Sequence, residues 1–252
     1  MPRGWSIRFL VYLVCDTFLI AESGAGKHAL EKDWLVLGYN GSMSKADALA
    51  LLAAEMEQDE SLPLTNESSL VFGEGSPDAA VLFIGEAPGF HEDRLRRPFV
   101  GTAGKLLDKL IGEIGWKRED VYITNIVKRR PPENRDPLPE EIEAYRPYLT
   151  RQIEIISPKA IVPLGRYGMN YFLPEAKISR DQGRLFKVEG RAIIPMLHPA
   201  AALRAGAMME MLRQSFHKLP EMIQNLDTPV LSATPENSSR QDETPKPQSA
   251  LF

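Results

Sequence analysis

Four short apolar runs, Ala80 to Ile84, Val121 to Ile126, Ala160 to Leu164 and Ala192 to Leu197, punctuate the middle of the chain, and each ends in polar or small residues. They are rich in Val and Ile and apolar on both faces, as strands covered on both sides must be. Between them, apolar positions recur at helical spacing over Ala103 to Ile114, Pro139 to Ile156, Tyr167 to Phe172 and Ala201 to Ile223. Strand and helix therefore alternate. Connections long enough for crossover helices imply parallel pairing, and the pattern predicts an α/β fold, a three-layer sandwich with a central four-stranded parallel sheet flanked by helices.

The ends of the chain read differently. Residues 1 to 45 hold a short apolar run from Phe9 to Cys15, preceded by Arg3 and Arg8, that imitates a signal peptide. Asp16 breaks it and it is too short to span a bilayer, so the segment is expected to be a poorly ordered extension, with Met43 an alternative start. Ala46 to Met56 has the spacing of an amphipathic helix, and Asp59 to Ser69 is a polar connector. A folded domain is expected over 46 to 224. From 225 to 252 the chain is rich in Pro, Ser, Thr and acids, which predicts a disordered tail.

Composition narrows the chemistry. Of 252 residues, 43% are hydrophobic and 25% charged, ordinary values for a globular protein, and the net charge of −4 excludes a uniformly basic nucleic-acid coat. Any nucleic-acid contact must come from a local patch. The single cysteine, Cys15, excludes an internal disulfide framework and every cysteine-rich metal site.

Candidate chemistry lies at the strand ends, where open α/β sheets place their ligands. The first strand runs into Gly85-Glu86-Ala87-Pro88-Gly89, followed by Glu92 and Asp93, a basic run at Arg94, Arg96 and Arg97, and then Phe99 and Gly101. The second ends at Asn125, with Lys128, Arg129, Arg130 and Arg135 beyond it. The fourth ends at His198. Singly, each has an ordinary role: a strand-to-loop exit, a turn or cap asparagine, a structural histidine. An acid, an amide and an imidazole on one rim point together to a site.

Six segments carry a family resemblance: VFGEG (71–75), GEAPGFHED (85–93), RPFVGTAGKLLD (97–108), TNIVKRRPPENRDP (124–137), RPYLTRQIEII (146–156) and LHPAAALR (197–204). In this order they resemble type-4 uracil-DNA glycosylases, which hydrolyse the N-glycosidic bond of deoxyuridine in DNA. The resemblance spans roughly residues 46 to 223. It implies a flipped-out uracil read by Asn125, stacked on Phe99 and crowded at C5 by Glu92, in a loop of Gly85, Ala87, Pro88 and Gly89. Glu86, Asn125 and His198 are the implied catalytic set, with His198 stabilising the uracil anion and Glu86 acting on water or the cationic sugar.

The partner implied is uracil-containing DNA, bound by a basic rim of Arg97, Lys128, Arg130, Arg135 and Arg204, with Ala201, Ala202 and Leu203 as an apolar wedge in the space left by the flipped base. A monomer in a bacterial cytoplasm, with no membrane partner, is expected. The family carries a [4Fe–4S] cluster on four cysteines, but two of those positions hold Arg129 and Tyr145 and the connector has no cysteine. No cofactor and no metal are therefore expected, with Arg129 and Tyr145 packed in a cation–π contact across the vacated space. Two other functions remain open from the residues: a non-catalytic DNA-binding descendant, and an α/β hydrolase of small nucleotides.

Overall fold

Six strands form one sheet in the computed structural model of the chain, in which residues 43–226 are described. The chain divides into two units, 1–48 and 49–252; of the first, only residues 43–48 are described, and they open helix α1 (Lys45–Gln58). The extension before residue 43 and the tail after residue 226 lie outside the described residues.

After α1 come β1 (Glu74–Gly75), β2 (Val81–Gly85), α2 (Phe90–Leu95), α3 (Thr102–Glu113), β3 (Tyr122–Asn125), α4 (Pro139–Ile156) and β4 (Ala160–Pro163). The chain continues through α5 (Gly165–Phe172), α6 (Ile178–Asp181), β5 (Phe186–Val188), β6 (Arg191–Ile193), α7 (Pro199–Ala202) and α8 (Gly206–Leu226). The strand order is β1-β3-β2-β4-β6-β5.

The four apolar runs become β2, β3, β4 and β6, and these pair in parallel. Two short antiparallel strands, β1 and β5, extend the sheet at its edges, so the sheet is six-stranded and mixed rather than four-stranded and parallel. Both are too short to leave a period in the sequence. The long helical pattern from Ala201 is also divided, into α7 and α8, separated by Leu203–Ala205.

Core packing follows the sheet. Phe83 of β2 stacks on Phe216 of α8, with ring centroids 5.6 Å apart, while Leu107, Leu110 and Ile111 of α3 join the same core. Every residue of β2, β3 and β4 is buried, as the unbroken apolar runs require. Register then aligns the exits: Gly85 lies opposite Asn125 and Ile84 opposite Pro163, so three strands end on one rim. No helix among the described residues is long and apolar enough to cross a membrane.

Candidate active site

At that rim lies a cavity of about 360 Å³, lined by Glu86, Ala87, Pro88, Gly89, Glu92, Phe99, Ala103, Asn125, Pro131, Asn134, Arg135, His198, Ala200 and Arg204. Small residues are required where strand and loop meet. A Cβ on Gly85 would stand 2.4 Å from Asn125 Oδ1 and 2.6 Å from Phe99 Cζ, so Gly85 forms the floor against which both side chains close.

Asn125, the last residue of β3, is 2% exposed, and its backbone is fixed in the ladder opposite Gly85. Phe99 is held with φ of 51°, a conformation uncommon outside glycine. Its ring lies 5.6 Å from that of His198, tilted by 31°. Glu92 is pinned: its Oε1 accepts the N–H groups of Val100 (2.9 Å) and Gly101 (2.8 Å), tying α2 to the segment that carries Phe99.

His198 caps α7, its Nδ1 accepting the N–H of Ala200 at 3.1 Å. With Nδ1 an acceptor, the neutral ring carries its proton on Nε2 and has one donor left to offer. Burial pushes the imidazole pKa down to about 4 against a smaller upward pull from Glu92, so the ring is neutral at physiological pH. Glu86 shifts the other way. Burial, reinforced by the charge of Asp136, raises its pKa to about 7, and Arg166 opposes the shift. Asp136 is itself held by the Tyr167 hydroxyl at 2.5 Å and lies 3.6 Å from Arg166.

The basic residues divide. Arg135 and Arg204 line the cavity, and Arg135 is locked by a bidentate pair with Glu141 at 2.6 and 2.9 Å. Arg130 stands just outside, its Nε donating to Asn134 Oδ1 at 2.7 Å and its guanidinium 5.3 Å from the Phe90 ring centroid. Arg97 turns away to Glu74, with contacts of 2.6 and 3.0 Å, and lines a separate cavity with Arg118 and Glu119.

Lys128 overturns its expected place on the DNA-facing rim. It is fully buried, its amine donating to Thr124 Oγ1 (2.5 Å) and Gln152 Oε1 (2.6 Å), and burial holds its pKa well below the usual lysine range. A phosphate cannot reach it. In the wedge segment Ala201 is half-buried and Ala202 is buried, so Leu203, 46% exposed, alone forms the projecting tip.

Four further residues, Ala103, Pro131, Asn134 and Ala200, complete the lining, and Asp136 and Arg166 set the charge around Glu86. Asn134 lies within the PPENRDP segment, whose motif could have signalled it. Ala103, Pro131, Ala200 and Asp136 also lie within the quoted segments, whereas nothing local in the sequence distinguishes Arg166.

The residues at the cluster positions do not fit an iron–sulfur group. A [4Fe–4S] cluster needs four thiolates and the chain has one cysteine. Arg129 is buried, donating to the Ser68 carbonyl at 2.6 Å and pairing with Glu57 at 3.5 Å. The Tyr145 hydroxyl donates to the Pro63 carbonyl at 2.6 Å; burial raises its pKa and the neighbouring Arg129 charge partly offsets that. The two residues thus meet at guanidinium and hydroxyl, and both anchor the connector.

The mixed sheet thus carries, at the carboxyl edge of its parallel centre, a cavity whose walls hold an amide, an aromatic face and an imidazole donor, groups able to hold a planar polar ring. The family model described as Uracil DNA glycosylase superfamily matches residues 72–222, and the chain belongs to that superfamily. Within it, the chain is similar to type-4 uracil-DNA glycosylases. That of Sulfurisphaera tokodaii is 46% identical over 167 residues, 62% of this chain and 75% of the relative. That of Saccharolobus solfataricus is 43% identical over 190 residues, 70% of this chain and 87% of the relative. That of Thermotoga maritima is 41% identical over 165 residues, covering 64% and 86%.

Proposed function

We propose that the protein is a cluster-free DNA repair enzyme of the type-4 class, which hydrolyses the N-glycosidic bond of deoxyuridine in DNA and leaves an abasic site. The observation that carries this is the convergence of Asn125, Phe99, His198 and Glu86 on one cavity in a chain of this superfamily. A non-catalytic descendant would have no need of the complete set.

The chemistry follows from the groups present. A uracil extruded from the DNA stacks on Phe99 and offers its O4 and N3–H to the Asn125 amide, which has both a donor and an acceptor. Glu92, with one oxygen fixed by two backbone N–H groups, stands as a rigid wall beside the ring and excludes a C5 methyl. As the C1′–N1 bond breaks, its electron pair leaves with the uracil. The neutral His198 donates from Nε2 to O2 as charge develops there, a contribution worth about 10²–10³ in rate for one preorganised donor.

The sugar becomes cationic, and ionised Glu86 stabilises it and orients the water that attacks C1′. That water releases its proton to the carboxylate or to solvent. Arg130, Arg135 and Arg204 supply phosphate contacts around the mouth, and Leu203 fills the space left by the base. Action as a monomer in a bacterial cytoplasm belongs to the same proposal.

Release of free uracil from an oligonucleotide with one deoxyuridine, beside a thymine control, tests it. Uracil release with none of thymine is expected. DNA binding without release would establish the non-catalytic alternative.

A further inference from the structure

One of the side chains that hold the loop of Phe99 lies outside the pocket. Arg118, in the short turn between α3 and β3, is only 18% exposed. Its Nη2 donates to the Pro98 carbonyl at 2.5 Å and its Nη1 to the Phe99 carbonyl at 3.2 Å. The same guanidinium is held by Glu74 at 2.7 Å and Asp108 at 2.5 Å, so its position is set by two carboxylates before it reaches the loop. Glu74 also pairs with Arg97, one residue ahead of Pro98.

We propose that Arg118 is a positioning residue that clamps the Pro98–Phe99 backbone and thereby sets how tightly a uracil base is held. This rests on Phe99 being the stacking surface, as argued above. Three constraints meet at Phe99, and each acts on different atoms. Arg118 takes the carbonyls of residues 98 and 99. Glu92 takes the N–H groups of residues 100 and 101. Gly104 permits the close approach of its helix, since a Cβ there would lie 1.9 Å from the Phe99 carbonyl oxygen.

A bulky residue at φ of 51° persists only where its surroundings over-determine it. Of the two side chains that hold this loop, Glu92 lines the cavity and Arg118 does not, so the role of Arg118 can be separated from direct contact with the base. Its planar fork meets two carbonyls and two carboxylates at once, whereas a lysine ammonium cannot span them.

The test compares wild type, Arg118→Met, Arg118→Lys, Phe99→Ala and the Phe99→Ala/Arg118→Met double variant, measuring kcat/KM for uracil release and inhibition by free uracil. Arg118→Met is expected to weaken free-uracil inhibition about tenfold, equivalent to about 1.4 kcal/mol, with Arg118→Lys intermediate. Affinity for uracil-free DNA should stay within about twofold, because no phosphate contact is lost. A loss of folded protein lowers the maximal rate and leaves the inhibition constant unmoved, so the two effects are distinct.

In the Phe99→Ala background, Arg118→Met should cause no further loss in kcat/KM, since the group through which it acts is gone. Additive losses, or an unchanged inhibition constant in Arg118→Met and Arg118→Lys, would overturn the proposal while leaving the glycosylase assignment intact. Should Arg118→Met fail to fold, the Arg118→Lys constants decide the matter alone. Absence of uracil release by wild type would instead remove the assignment, and this proposal with it.

Discussion

Gly85 and Asn125 face each other across the β2–β3 ladder, and the missing side chain of the first makes room for the amide of the second. Replacing Gly85 with Ala would force Asn125 Oδ1 and the Phe99 ring outward together. Gly85→Ala is therefore expected to slow uracil excision by about 10²-fold, comparable to losing one preorganised donor. Overpacking should cost about 1–3 kcal/mol of stability. Single-turnover kinetics and denaturant unfolding check the two effects; an unchanged rate would mean the cavity floor is not built on this contact.

On the proposed function, the acidic limb of the pH profile is expected to belong to Glu86. Its pKa is raised to about 7, so the ionised form that orients water is gained as pH rises through 7, and the rate of the bound complex should rise with it to a plateau. Asp136→Asn removes a negative neighbour and should move the midpoint to lower pH. His198, pushed down to about 4, remains neutral throughout this range. A midpoint near 4 in wild type, or one unmoved by Asp136→Asn, would contradict this assignment.

Linkage gives the same two groups opposite effects on stability. For Glu86 the folded state holds its proton more tightly, so a contribution to stability is lost as pH rises from about 4.5 to about 7. For His198 the folded pKa is depressed, so a contribution is lost as pH falls from about 6.5 to about 4. Comparing unfolding free energies of Glu86→Gln and His198→Gln with wild type over this range isolates each contribution.

Lys128→Met should leave DNA affinity and its salt dependence unchanged, because the amine lies inside the protein. Arg204→Ala should reduce the salt slope by about one unit. The cost of Lys128→Met falls on stability, about 1–3 kcal/mol for leaving Gln152 Oε1 with only the long contact from the Thr124 hydroxyl at 3.4 Å. A changed salt slope in Lys128→Met would restore the lysine to the DNA surface.

Arg129 bears on the expected absence of a cluster. The purified protein should be colourless, without bound iron, and indifferent to chelators in its thermal midpoint. Arg129→Ala should destabilise it by about 1–3 kcal/mol through the lost contacts to Ser68 and Glu57, with the cleavage rate of folded enzyme largely kept. About four irons per chain on metal analysis would contradict the first statement.

The parallel centre of the sheet was legible because β2, β3 and β4 are buried on both faces and so carry unbroken apolar runs. The edge strands β1 and β5 were not, since two or three residues contain no period. Lys128 misled for a different reason. It stands in a run of basic residues, and its partner Gln152 belongs to a helix far along the chain, so nothing nearby reveals that it points inward. Arg118 was hidden similarly: in WKRED it reads as one more charge in a surface turn, and only the fold brings Glu74, Asp108 and two loop carbonyls around it. Lining residues close to a strand end could be read in advance; supports assembled from distant segments could not.

The strand order also fixes when the site can exist during synthesis. Phe99 and Asn125 precede β4, whereas His198 follows β6, the last strand among the described residues. On the proposed function, a nascent chain therefore acquires the surfaces for grasping a base before it acquires the imidazole for releasing one. Because β6 docks on β4 in parallel, His198 cannot reach the rim until the intervening chain has folded back across the sheet.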